Sequence, residues 1–267
     1  GDGVGRDLDR AVQLYDKACK GGVIQACTDL AHIFERAKGM PKDLARAVEL
    51  YERACKEGDP LACYNLANIL ARGKNPVRRD RNKAIALYLR ACLRGSWPGC
   101  EKLAVLSITY DLDAPITDGM RTSKAAIFTR RRHEQSCARG NAGSCLALAW
   151  MYENGLGGEA DLGMAAGLYQ RACEGGRLPA CYRLGVMYRD GLGVAANMEK
   201  AVELLSKACK EGFPKACGAL AQLCEKGRGM PKDLARAMRL YEQACRGGDV
   251  RSCRRLKELS ACLEEGP

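Results

Sequence analysis

Apolar and polar positions recur together along this chain, in step with pairs of cysteines eight positions apart. Counted back from the first cysteine of a pair, position −8 is Ala in six copies (Ala11, Ala47, Ala84, Ala165, Ala201, Ala237) and −5 is Leu (Leu14, Leu50, Leu87, Leu168, Leu204, Leu240). Position −4 is Tyr15, Tyr51, Tyr88, Tyr169, Leu205 and Tyr241. Apolar residues at −8, −5, −4 and −1 share one face of a helix and do not alternate as a strand would. An Asp or Asn at −12 (Asp7, Asp43, Asp80, Asp161, Asn197, Asp233) stands where an N-cap belongs. Counted forward from the second cysteine, +3 is Leu in all seven copies and +4 is small in six (Ala31, Ala67, Ala104, Ala149, Gly185, Ala221). Small residues there let a neighbouring helix approach closely. Positions +2 and +5 are mostly polar and are expected to face water.

Each unit therefore reads as two antiparallel helices. Pro60, Pro98, Pro179 and Pro214 fall in the first turn of the second helix, where proline is tolerated. Successive pairs begin 36, 37, 45, 36, 36 and 36 residues apart, a period that marks a stacked array. No unit can bury its apolar face alone, so the expectation is an all-α solenoid running through 1–267 as a single domain of about seven repeats. The opening GDGVGRD lacks the basic, apolar and cleavage regions of a secretion signal. It matches a turn inside a repeat (compare 189–197), so the chain is expected to start mid-repeat, trimmed from a longer one.

Sixteen cysteines sharpen the picture. Fourteen form the pairs Cys19/Cys27, Cys55/Cys63, Cys92/Cys100, Cys137/Cys145, Cys173/Cys181, Cys209/Cys217 and Cys245/Cys253. One thiol ends a helix and the other sits in the first turn of the next, which brings the Cα atoms within disulfide range. Each nine-residue ring would contribute roughly 2–3 kcal/mol on the chain-entropy model. Zinc ligation and reduced structural thiols compete with this reading; zinc wants about four converging ligands, and the chain has two histidines and no short C-x2-C. Cys224 occupies the +7 slot filled elsewhere by Phe34, Leu70, Tyr152 and Tyr188, and reads as a buried free thiol. Cys262, at +9, shares a column with Arg36, Arg72 and Lys226 and is expected to be exposed.

The net charge of +11 permits a polyanion partner, but the basic residues are scattered, with one cluster at Arg130-Arg131-Arg132 and no aromatic-interleaved patch. A solvated basic surface is favoured over nucleic-acid binding. No apolar run approaches the roughly 18 residues of a membrane span. Reactive constellations are missing too. There is no S-x-x-K, S-D-N or K-T-G set, no G-x-S-x-G, no H-E-x-x-H and no P-loop. His133 beside Glu134 is expected on a solvated polar face.

The string A-C-Y-x-L-G-x-M-Y-x-x-G-x-G-V (180–194), followed by K-A-x-x-L-x-x-K-A-C (200–209), resembles the Sel1-like repeat family, a relative of tetratricopeptide repeats. The C-x7-C pairs resemble its cysteine-rich branch, such as the Helicobacter cysteine-rich proteins. The resemblance implies a right-handed solenoid acting as an adaptor or scaffold for a protein or peptide, as a monomer and without cofactor or metal. For a cysteine-rich member it implies secretion or a periplasmic location, with the mitochondrial intermembrane space as an alternative. Some members carry a β-lactamase label, so β-lactam binding or hydrolysis is the alternative function. By resemblance to tetratricopeptide arrays, the second helix of each unit lines a concave binding face, whose candidates are Asp29, His32, Asn65, Asn68, Lys102, Trp150, Arg183 and Gln222. Trp150 is the sharpest, because Trp is enriched at binding hot spots; burial against the irregular stretch is its alternative. That stretch, 107–136, has nine extra residues and no G-x-G turn. Aligned without a gap, it puts Arg132 and His133 in the Leu and Tyr slots, and an insertion of about one turn or a longer loop is expected.

Overall fold

A computed structural model describes residues 7–36, 43–73, 76–110 and 115–264, with side chains to 261. Its regular elements, among the described residues, are α-helices joined in hairpins. These are α1 (Leu8–Lys20) with α2 (Ile24–Arg36), α3 (Leu44–Lys56) with α4 (Pro60–Arg72), and α5 (Arg81–Leu93) with α6 (Trp97–Tyr110). After a one-turn helix α7 (Asp118–Arg121) come α8 (Lys124–Ala138) with α9 (Ala142–Asn154) and α10 (Leu162–Glu174) with α11 (Leu178–Asp190). The last two are α12 (Met198–Lys210) with α13 (Pro214–Lys226), and α14 (Leu234–Arg246) with α15 (Val250–Glu264). Two compact units result: Gly1–Ser107 with Asp111–Pro115, and Ile108–Tyr110 with Ile116–Pro267. The first holds three hairpins and the second four.

Helix starts follow the local chemistry. Asp7, Asp43, Asp80, Asp161, Asn197 and Asp233 each accept a hydrogen bond from the backbone N–H three residues on, satisfying a donor the helix cannot. Pro60, Pro179 and Pro214 sit in the first turns of α4, α11 and α13. The Ala at −8 is buried in α3, α5, α10, α12 and α14, where each of these helices packs on the second helix of the preceding repeat. Tyr51, Tyr88, Tyr169 and Tyr241 are fully buried beside it.

All seven hairpin corners are closed by disulfides, with Cα atoms 4.6–4.7 Å apart: Cys19–Cys27, Cys55–Cys63, Cys92–Cys100, Cys137–Cys145, Cys173–Cys181, Cys209–Cys217 and Cys245–Cys253. Cys27, Cys63, Cys100, Cys145, Cys181, Cys217 and Cys253 each stand in the first turn of a second helix. Their partners are each the last residue but one of the helix before. The bridges belong to the core and not to the solvent side of the corners. Every sulfur pair from Cys19–Cys27 to Cys209–Cys217 is buried, and Cys245–Cys253 is half-buried. Bonded to one another, these sulfurs are not thiolates that a metal would bind, and their part is structural. Cys224 is a buried free thiol whose S–H points to the Asp233 carbonyl at 3.2 Å. The side chain of Cys262 lies outside the described residues.

The irregular stretch keeps the repeat's alignment without a gap. Ala126, eleven residues before Cys137, occupies the place of Leu162 in α10 and Met198 in α12. In all three repeats a turn glycine closes against that place. The Cβ that Gly157, Gly193 or Gly229 lacks would lie 2.7 Å from the Ala126 carbonyl oxygen, 2.3 Å from the Leu162 carbonyl carbon or 2.8 Å from the Met198 Cβ. The extra residues lie before α8, and α8 starts two residues early, capped by Ser123. His133 then falls in the Tyr slot and is buried, not on the solvated face the sequence suggested. Burial, with the Arg132 charge nearby, lowers its pKa to about 4.

Candidate binding surface

Each buried tyrosine brings a hydroxyl into the core, and a buried hydroxyl needs a partner. Tyr51 donates to Glu35 at 3.1 Å, Tyr169 to Glu153 at 2.6 Å and Tyr241 to Glu225 at 2.7 Å. The acceptor sits at +8 of the preceding second helix, sixteen residues before the tyrosine in every case. A third side chain closes the group from the second helix of the tyrosine's own repeat, at +2. Asn65 donates to the Tyr51 oxygen at 3.4 Å, Arg183 grips Glu153, and Arg255 grips Glu225. Tyr88 has Ala71 at the +8 place and donates instead to Asn68 at 2.7 Å. Where the tyrosine becomes Leu205, the carboxylate becomes Arg189, which pairs with Asp190.

These groups polarise one another. Burial and the Glu35 carboxylate push the Tyr51 hydroxyl far above its ordinary pKa, and burial and Glu153 do the same to Tyr169. Hydrogen bonding from Arg255 holds Glu225 below the usual carboxylate range. A row of polar side chains is thus fixed at the boundary between consecutive repeats.

His32, Lys102 and Gln222 are exposed, and Asp29 is half-buried with Gln25 donating to it. Asn65, Asn68 and Arg183 are half-buried and belong to the tyrosine groups. Trp150 is buried at 4% exposure, so the structure corrects the expectation that it faces a ligand. Ala147, its partner at +2, is buried with it, and the column in α9 is core. The Glu–Tyr–Asn/Arg groups escaped the sequence reading. Their signal was the joint loss of Glu and Tyr in the Arg189/Leu205 copy.

Beside α8 lies a cleft of about 520 Å³, whose walls include Arg130, Glu134, Tyr152 and Glu159. Tyr152 donates to Glu134 at 3.2 Å, and the Arg130 guanidinium lies 3.5 Å from the centre of the Tyr152 ring. No group of three or more metal-ligating side chains occurs among the described residues. No described helix is long and apolar enough to cross a membrane.

The pattern of the Sel1 repeat matches residues 1–23, 24–59, 60–96, 142–176, 178–213 and 214–249, well over half of the chain. The chain belongs to the Sel1 repeat family. Sel1 repeats mediate protein interactions, and the family consists generally of non-catalytic scaffolds. A Sel1 repeat protein from Oxalobacter formigenes is similar in fold, with TM-score 0.55 and 23% identity over 96% of this chain and 73% of that one. The protective antigen c5321 of uropathogenic Escherichia coli is 26% identical over 97% of this chain, with TM-score 0.49. This Sel1 chain spans 54% of the length of that protein. Helicobacter pylori cysteine-rich protein B is 25% identical over 49% of this chain and 96% of its own, with TM-score 0.40. Comparison with curated proteins gave no match. Seven disulfides in one Sel1 chain point to an oxidising compartment.

Proposed function

We propose that this protein is a non-enzymatic scaffold of the periplasm or cell exterior that binds a protein or peptide along its second helices, the face such arrays make concave. Asp29, His32, Asn65, Asn68, Lys102, Arg183 and Gln222 are the side chains that meet the partner. The observation that carries this reading is the recurrence of polar side chains at the same two helical positions, three of them held by hydrogen bonds to a buried tyrosine or its glutamate. Groups already fixed lose little freedom on binding, which favours affinity.

The test is selection of peptides from a displayed library, followed by titration of the selected peptide against the wild type and His32→Glu/Lys102→Glu/Gln222→Lys. A loss of affinity of roughly tenfold or more supports the assignment, since these exposed positions tolerate change. Unchanged affinity removes the second helices as the binding face. Turnover of nitrocefin by the purified protein would replace the scaffold reading with an enzymatic one.

A further inference from the structure

The family pattern does not match residues 97–141, and α8 lies inside that gap. Its outward face differs from every other first helix. Elsewhere, position −9 holds Arg10, Arg46, Lys83, Met164, Lys200 or Arg236, and −5 holds Leu. In α8 these positions are Phe128 and Arg132, the reverse of the basic-then-apolar order in five of the other six; α10 has Met164 and Leu168. The apolar one stands in solvent: Phe128 is 59% exposed, more than Met164 at the same position of α10 at 49%, whereas Phe34 and Phe213, the other phenylalanines, are buried. The Arg132 guanidinium lies 5.9 Å from the centre of the Phe128 ring. Lys124, Arg131 and Arg139 are exposed on the same side, at helical spacing.

We propose that this face of α8 is a second docking site, distinct from the second helices, for an acidic polypeptide segment carrying an apolar residue. The charge is complementary, because the Arg132 guanidinium lies by the aromatic ring and Lys124, Arg131 and Arg139 follow along the same side of the helix. The stripe from Lys124 to Arg139 is about 22 Å long at ~1.5 Å per residue. An extended segment of about seven residues covers it. The stripe is also narrow. Asp118 on α7 is fully exposed, and Glu134, Glu159 and Asp161 line the adjoining cleft. A duplex or an anionic lipid surface, being broad, would press its phosphates against those carboxylates. A single strand of polypeptide lying along Lys124, Phe128 and Arg132 meets that cleft only through Arg131, which also lines it, and its own carboxylates pair with Arg131 and Arg132.

The probe is a fluorescent peptide of about seven Glu and Asp residues with one central Leu, titrated by anisotropy against the disulfide-intact protein. Saturable binding that weakens roughly tenfold in Arg131→Glu/Arg132→Glu and about fivefold in Phe128→Ala is expected. Phe128→Ala alters an exposed side chain and keeps the test valid if the double variant folds poorly. Arg239→Glu, on the exposed side of α14, should leave affinity unchanged. No saturable binding by the wild type, equal losses in Arg239→Glu, or tighter binding to phosphatidylserine vesicles or oligothymidylate would each overturn the assignment.

Discussion

Glu153 answers to two donors at once, and its removal leaves both without their acceptor. The Tyr169 hydroxyl is buried and the Arg183 guanidinium partly so. Glu153→Ala should therefore cost about 2 kcal/mol, and Tyr169→Phe, which loses one bond and strands nothing charged, about 1 kcal/mol. Urea midpoints of the singles and the double will show the two losses to be non-additive. His133 gives the molecule a pH dependence of known sign. Its pKa is lowered from 6.5 to about 4 by burial, so below pH 6.5 the unfolded chain takes up a proton that the folded one refuses. The contribution is complete above pH 6.5 and falls away as pH drops towards 4, by about 3 kcal/mol in all. His133→Leu, the residue type found at 205, should flatten stability across that window; Glu225, held low by Arg255, loses its contribution only as pH falls below the ordinary carboxylate range. Buried positions at this scale were legible from spacing. The bonds of Glu35, Glu153 and Glu225 were not, because a helical period says which side chains face inward, not which boundary groups sixteen or thirty residues apart turn to each other.

At the scale of the helix and its turns, two glycines with similar backbones make a contrast. Gly193, at φ +70°, sits where a Cβ would lie 2.3 Å from the Leu162 carbonyl carbon, while Gly212, at φ +91°, has nothing within 4 Å of that point. Gly193→Ala should cost about 3 kcal/mol or more, and Gly212→Ala only about 1 kcal/mol, by thermal or urea unfolding. Replacing Cys173 and Cys181 together by Ala should cost roughly 2–3 kcal/mol, concentrated in the α10–α11 hairpin and visible as faster amide exchange there. Helices, caps and corners could all be placed from the sequence, since each is fixed by residues within a few positions. For α8 the ungapped alignment was available, but Thr129, His133 and Ser136 in core slots disguised an inward face as a polar one. Trp150 misled in the opposite direction: its column is polar in most repeats and core in α9.

For the molecule as a whole, the count of reactive thiols is the most direct check. Denatured without reductant, the chain should take up no more than two alkylating groups, at Cys224 and Cys262; a higher number would contradict the seven bridges. Periodicity announced the hairpins, and its lapse at 107–136 marks where the two units divide, but it gave no hint of α7. The bridged corners also change what a protease can achieve. Every nine-residue ring contains a Lys or Arg: Lys20, Lys56, Arg94, Arg139, Arg177, Lys210 and Arg246 are examples, and all but Arg177 are exposed. A trypsin-like cut inside a ring severs the backbone but leaves the flanking helices tethered through sulfur. Nicked molecules should therefore run at full mass on non-reducing gels and fall into fragments only when thiol is added.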